Sequence, residues 1–147
     1  MPNIVLVCHE LVGPKMAGPG IRYANLARVL AKHVNVTLAA PAGSQPTTDA
    51  SYRLAVFGRG QWPTLAPELA SADAVVLPPD LVHEFPQIAA LKVCVAIDGY
   101  NPLLAEWLST HTDLDSWRSR MSQLRPQYYS GDFYFCASER QRGAAVA

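Results

Sequence analysis

A glycine-bearing stretch near the start of the chain, "KMAGPGIR", combines residue types that bind phosphate. It stands between a short apolar run and a helical pattern. The first turn of a helix exposes unpaired N–H groups and partial positive charge, and glycine lets an anion approach the backbone closely. Gly18 and Gly20 would make that approach, with Lys15 and Arg22 nearby. Ordinary turn chemistry also explains Gly-Pro-Gly, so the stretch by itself leaves a plain turn open as well.

The spacing in this stretch excludes two common phosphate-binding motifs. A dinucleotide fingerprint, Gly-x-Gly-x-x-Gly/Ala, would place its last small residue where this chain has Tyr23. The second apolar run also ends in "AAPAG", without the acidic residue that binds ribose. A P-loop needs Lys and Ser or Thr where this chain has Pro19 and Gly20. Nicotinamide, flavin and P-loop ATP chemistry are therefore disfavoured.

A carboxylate stands at the end of another apolar run, in "IDGYNP". Asp98 at the carboxyl end of a strand would lie where ligands bind in an open α/β sheet. There it would accept hydrogen bonds from sugar hydroxyls or act as a base. Tyr100 and Asn101 follow at the same edge, and Asn101 is also suited to cap the next helix. A turn-forming or capping aspartate is the alternative reading of Asp98.

The last motif, "CASERQRG", follows the final apolar run. Ser138 is suited to cap a helix that begins at Glu139, because an acidic residue in the first turn complements the helix dipole. Arg140 would then reach phosphate or a partner. A capped helix start on the surface, with no ligand, is the alternative.

Charge and cysteine usage narrow the function classes. Lys plus Arg equals Asp plus Glu, 12 each, so we expect no nucleic-acid partner. Cys8, Cys94 and Cys136 are odd in number and widely spaced, which predicts buried, reduced thiols and neither disulfides nor a metal site. The four histidines show no metal-ligand spacing, although His9 follows the first strand and would lie near the cleft.

The location of the protein is predicted from what the sequence lacks. No apolar stretch reaches the roughly 18–20 residues that span a membrane, and no basic segment precedes an apolar one at the N-terminus. We therefore predict a cytoplasmic protein and leave peripheral attachment to a membrane open.

Strands and helices alternate along the chain. Six apolar runs are predicted strands: Ile4–Cys8, Val34–Ala40, Tyr52–Phe57, Ala74–Leu77, Lys92–Ile97 and Phe133–Ala137. Helical patterns lie between them: Tyr23–Ala31, Thr64–Ser71, Leu81–Leu91 with a break at Pro86, Pro102–Ser109, and Trp117–Leu124, stopped by Pro126. This alternation, with Val- and Ile-rich runs, predicts an α/β fold over residues 1–147 as a single domain. The expected architecture is Rossmann-like and doubly wound, a mostly parallel sheet of about six strands with helices on both faces.

Three separated stretches together resemble one family. "GPGIRYANLARVLAKHVNVTLAAP", "IDGYNPLLAEWL" and "GDFYFCASERQRG" are similar, in this order, to segments of retaining GT-B glycosyltransferases of the family 4 type. The resemblance covers nearly the whole chain, but only the N-terminal half of such an enzyme. Many of those enzymes carry a histidine near the end of the fifth strand, where this chain has Asp98-Gly99-Tyr100. If that histidine is a catalytic contact, its role passes to Asp98 or stays unfilled.

The resemblance implies a division of labour. The N-terminal domain would bind the acceptor, and an absent C-terminal domain would bind the nucleotide-sugar donor, without a metal or other cofactor. Gly18 and Gly20 would contact the donor diphosphate. The resemblance and the position at the sheet edge assign the acceptor or the cleft lining to Lys15, Arg22, Tyr100, Asn101, Ser138, Glu139 and Arg140.

The chain would then be the acceptor-side half of a glycosyltransferase for an unknown acceptor, inactive alone. Its bare interdomain face would favour self-association. The alternatives are a non-catalytic Rossmann-like ligand-binding module and a protein-interaction domain.

Overall fold

A parallel sheet of six strands organises the chain. The computed structural model describes residues 1–48, 50–100, 109–110, 113–128 and 130–146. The strands are β1 Asn3–Val7, β2 Asn35–Pro41, β3 Arg53–Phe57, β4 Ala74–Leu77, β5 Cys94–Asp98 and β6 Phe133–Phe135. They lie in the order β3-β2-β1-β4-β5-β6, and each neighbouring pair is parallel. The predicted Rossmann-like α/β fold is confirmed.

Helices connect the strands. They are α1 Gly18–Leu30, α2 Trp62–Ala70, α3 Pro79–Glu84, α4 Leu114–Tyr128 and α5 Glu139–Val146, with a 3-10 turn at Pro86–Ala90. The break predicted at Pro86 is confirmed, because α3 ends at Glu84 and the 3-10 turn begins at that proline. The helix predicted over Pro102–Ser109 lies outside the described residues, apart from its last residue.

The prediction that Pro126 stops a helix is wrong. Helix α4 continues through this proline and ends at Tyr128. Proline removes one N–H, and with it one hydrogen bond, and only two residues of the helix follow it. Side chains also supplement the final turn: the Gln127 amide donates to the Gln123 carbonyl at 2.9 Å, and the Ser130 hydroxyl donates to the Pro126 carbonyl at 2.7 Å.

The core lies on both faces of the sheet. Along β1 and the residue that follows it, Val5 and Val7 face one cluster, whereas Leu6 and Cys8 face the other. This alternation follows from the two-residue period of a strand. Helices α2 and α3 cover the first face with leucines and Phe85, and α1 covers the second face with Tyr23 and alanines. Helices therefore form a layer on each face of the sheet, which explains why its strands are apolar and buried on both faces.

The cysteines do not share one environment, which corrects the expectation of three buried thiols. Cys8 is buried, Cys94 is exposed and Cys136 is half-buried. Cys94 is the first residue of β5, at the amino end of this strand, and the other four residues of the strand are buried. Cys136 follows β6, which has a neighbouring strand on one side only.

Within the described ranges, no helix has the length and apolar character to cross a bilayer. The longest of them, α4, has 15 residues.

Candidate functional site

The direction of the strand order reverses between β1 and β4. These two strands are neighbours, with β2 and β3 on one side and β5 and β6 on the other. In an open α/β sheet, ligands bind beyond the carboxyl ends of the strands at such a reversal. The loop from β1 to α1 and the start of α3 therefore flank the expected crevice. The end of β5 lies one strand further along.

The two glycines at the start of α1 have different surroundings. Among the described residues, a Cβ on Gly18 would meet only the Tyr100 hydroxyl, at 3.8 Å, which is ordinary contact. A Cβ on Gly20 would collide with the Leu11 carbonyl oxygen and would stand 2.9 Å from the Cβ of Met16. Gly20 is thus required for packing of the loop on the helix, whereas Gly18 keeps the helix start open. Contact with a diphosphate stays a prediction for both.

Arg22 and Asp98 form a two-bond ion pair at the carboxyl edge. Nε of Arg22 donates to Oδ2 and Nη2 donates to Oδ1, both at 2.9 Å. The Asp98 side chain is fully buried, and that of Arg22 is 31% exposed. The hydrogen bond with Asp98 raises the pKa of Arg22 above its ordinary value. The pair satisfies a carboxylate that would otherwise be a buried, unpaired charge.

Tyr100 completes this arrangement. Its ring centroid lies 4.5 Å from the guanidinium carbon of Arg22, and its N–H donates to Asp98 Oδ1 at 3.2 Å. Asp98 therefore accepts from two residues and holds both in place. The carboxylate is placed as an anchor for Arg22, and its assignment as a base stays a prediction. Asn101, the next predicted site residue, lies outside the described residues.

Gln141 joins the last motif to this cluster, and sequence reasoning did not identify it. Its Nε2 donates to the Tyr100 carbonyl at 2.7 Å, and its Oε1 accepts from the Ala137 N–H at 2.8 Å. The Gly99 N–H also donates to the Phe135 carbonyl at 2.8 Å. The available signal was its position three residues after the predicted cap Ser138, which places both residues in one helical turn.

Ser138, Glu139 and Arg140 lie on the surface at the start of α5. The Ser138 hydroxyl accepts from the Gln141 N–H at 3.3 Å, so Ser138 caps the helix as predicted. Glu139 is bonded to Arg142 at 2.6 Å, and both side chains are exposed. Arg140 is exposed as well. A role for these three residues in lining a ligand cleft stays a prediction.

Lys15 lines a pocket and is not part of the ion-pair cluster. The pocket has a volume of about 280 Å³ and lies between the loop after β1 and the loop after β2. Its walls are formed by Leu11, Val12, Gly13, Pro14, Lys15, Met16, Gly43 and Gln45.

A second polar cluster lies at the reversal point itself. Nδ1 of His9 is buried, has no hydrogen-bond partner among the described residues, and stands 3.8 Å from Oδ2 of Asp80. Arg59 donates to the His9 carbonyl at 2.7 Å, and Glu84 accepts from the Gly60 N–H at 2.6 Å. Of these side chains, the sequence singled out only His9. The signal for Arg59 and Asp80 is that each follows the end of a strand.

Metal binding has no donor set in the part of the chain that the structure describes. No group of three or more His, Cys, Asp or Glu side chains there is arranged to hold an ion.

Comparison with known proteins supports the fold and assigns no family. No model of a known protein family matches the chain, and no curated protein matches it significantly. Among solved structures, the chain is similar to Os79 from O. sativa in complex with UDP, with a TM-score of 0.52 and 14% identity. The alignment covers 97% of this chain and 48% of that chain, so the chain spans about half the length of its structural neighbour. At this identity the similarity shows a shared Rossmann-like fold.

Proposed function

We propose that the chain is the acceptor-side domain of a glycosyltransferase that moves a sugar from a nucleotide-sugar donor. One observation carries the proposal. The three stretches that resemble GT-B enzymes are brought together at the carboxyl edge, through Arg22, Asp98, Tyr100 and Gln141. The fold shared with a structure that contains UDP supports it.

The geometry suggests a role for each contact. Gly18 leaves room for a donor phosphate at the start of α1. Asp98 positions Arg22 and Tyr100, which form one wall of the cleft. Ser138, Glu139 and Arg140 would lie at the rim of the same wall. A second domain would hold the donor, and transfer would need both domains because the reacting groups must be aligned.

A titration with UDP tests the proposal that a second domain holds the donor. We expect weak binding to the ¹⁵N-labelled chain, with a Kd of about 1 mM or weaker. The shifts in the NMR spectrum should centre on Gly18 and Arg22. We also expect no turnover with nucleotide sugars and a panel of hydroxyl acceptors. Micromolar UDP binding, or steady sugar transfer by this chain alone, would contradict the assignment of the donor site to another domain.

The coding sequence after Ala147 provides the positive test. We expect it to encode a second α/β domain. The protein that contains both domains, called the joined protein below, should transfer sugar. In that protein, Gly18→Val should weaken the donor interaction, whereas Gly143→Ala should not, because no described residue lies within 4 Å of a Cβ at Gly143. Equal transfer by both variants would remove Gly18 from the site.

Self-association is a further part of the proposal. Leu11 and Ile21, both 47% exposed, belong to the loop and first turns at the carboxyl edge. Exposed apolar groups at a face that meets another domain favour contacts between copies. Sedimentation analysis should show association that grows with concentration; a monomer at all concentrations would contradict it.

A further inference from the structure

The pocket between the loops after β1 and β2, here called the loop pocket, is held open by the backbone. The Gln45 N–H donates to the Val12 carbonyl at 2.8 Å, and the Val12 N–H donates to the Ser44 hydroxyl at 3.1 Å. These two bonds tie the loops to each other at a fixed separation. The cavity therefore exists before any ligand binds.

Two glycines keep side chains out of this space. Gly13 has φ +148° and Gly43 has φ +99°, a region that residues with a Cβ rarely adopt. A Cβ on Gly43 would stand 3.6 Å from Cδ2 of Leu11, and one on Gly13 would stand 3.5 Å from Cβ of Gln45. Both loops thus present backbone where a side chain would narrow the pocket.

The lining selects a type of ligand. Leu11, Val12, Pro14 and Met16 supply apolar wall, and Lys15 is the single charged residue among the described residues of the lining. Within the part of the chain that the structure describes, no acidic side chain belongs to the lining. The volume of about 280 Å³ is near the lower end of small-molecule sites, roughly 300 Å³.

We propose that the loop pocket binds a small apolar group carrying one anionic substituent, such as an alkyl or aromatic phosphate or carboxylate. This inference rests on the proposed function, and within it the bound molecule is the acceptor. Leu11 and Met16 hold the apolar body, while Lys15 attracts the anion. Leu11 and Met16 of the lining adjoin Gly20 of α1, so an acceptor held there would lie near the proposed donor phosphate.

A homologous series of ligands tests the apolar part. Ethyl, butyl and hexyl phosphate are titrated into the ¹⁵N-labelled chain, with inorganic phosphate and hexyl glucoside as anionic and neutral controls. Each methylene that enters the pocket should tighten binding by about fourfold. Hexyl phosphate should bind more tightly than either control and shift the resonances of residues 11–16 and 43–45. Equal binding of inorganic and hexyl phosphate would overturn the proposal, as would shifts elsewhere.

Variants test the charge. Lys15→Gln should weaken hexyl phosphate binding by about two- to fivefold, as expected for an exposed ion pair, and leave hexyl glucoside unchanged. Lys32→Gln is the matched control, because it makes the same charge change outside the pocket, after the end of α1. Leu11→Asp should abolish hexyl phosphate binding, and Leu11 is exposed enough for the variant to fold. An equal loss in both lysine variants would refute the role of Lys15.

The outcomes separate this inference from the proposed function. If UDP shifts the resonance of Gly18 but hexyl phosphate causes no shifts, the proposed class of acceptor is wrong and the proposed function is kept. If hexyl phosphate binds but the joined protein transfers no sugar, the loop pocket is a binding site and the proposed glycosyltransferase function is wrong.

Discussion

Arg22 and Asp98 are 76 positions apart in the sequence, yet they make two hydrogen bonds of 2.9 Å. The pair connects the second turn of α1 to the last residue of β5. Asp98 is fully buried, so Arg22 provides the compensating charge that a carboxylate needs away from water. The ion pair is therefore a structural link between two of the stretches that support the proposed function.

Removing the arginine should be costly. Arg22→Ala leaves Asp98 buried without its cation, and we expect a loss of about 3 kcal/mol in the free energy of unfolding. Arg28→Ala is the control on the same helix, since Arg28 has an exposed bond to Asn25. It should change stability by no more than about 0.5 kcal/mol. Urea denaturation of both variants measures the difference, and similar losses would show that the pair contributes little.

The glycines at the start of α1 should respond differently to the same substitution. Gly20→Ala forces a Cβ against the Leu11 carbonyl and should destabilise the protein by about 1–3 kcal/mol. Gly18→Ala has room and should stay within about 0.5 kcal/mol of wild type. Thermal unfolding of the pair gives the comparison. Equal melting temperatures would mean that the loop shifts easily, and that Gly20 is not needed for packing.

The architecture was predictable because the local pattern and the global fold agree. The run around Val5 is apolar at every position, and burial on both faces follows from that feature alone. Element ends were less predictable, since Pro126 lies inside α4, where nearby side chains supply hydrogen bonds. The apolar setting of Cys94 suggested burial, but its position at the first residue of β5 decides its exposure.

The sequence identified the segments that form the site, but it did not predict which of their side chains contact each other. Asp98 was recognised from its place at a strand end, yet its pairing with Arg22 depends on how α1 lies across the sheet. Gln141 was missed because the role of an amide is fixed by the partners that the fold brings to it. Asp80 became a candidate only once β1 and β4 were neighbours.

Burial of Cys8 should make stability depend on alkaline pH. Desolvation raises the pKa of the Cys8 thiol from 9.0 to about 11. Below pH 9 the thiol is neutral in both states and its contribution is fully present. Between pH 9 and 11 the unfolded chain loses this proton while the folded chain keeps it, so stability falls, by about 2–3 kcal/mol.

Comparing variants isolates this contribution from other groups that titrate in the same range. Urea denaturation at several values between pH 8 and 11 should show a shallower decline for Cys8→Ala than for wild type. Cys94→Ala is the control, because it removes a thiol that is exposed in the folded state. Parallel curves for wild type and Cys8→Ala would contradict the burial of an un-ionised thiol.

Tyr23 and Tyr52 are both buried tyrosines whose hydroxyl groups have different surroundings. The Tyr23 hydroxyl has no hydrogen-bond partner among the described residues, whereas that of Tyr52 lies 3.0 Å from the Thr47 hydroxyl. An unsatisfied buried hydroxyl costs free energy, so Tyr23→Phe should stabilise the protein by about 1 kcal/mol. Tyr52→Phe should destabilise it by about the same amount. Denaturation of the two variants measures both signs, and a clear loss of stability in Tyr23→Phe would mean that its hydroxyl is bonded, for instance to an ordered water.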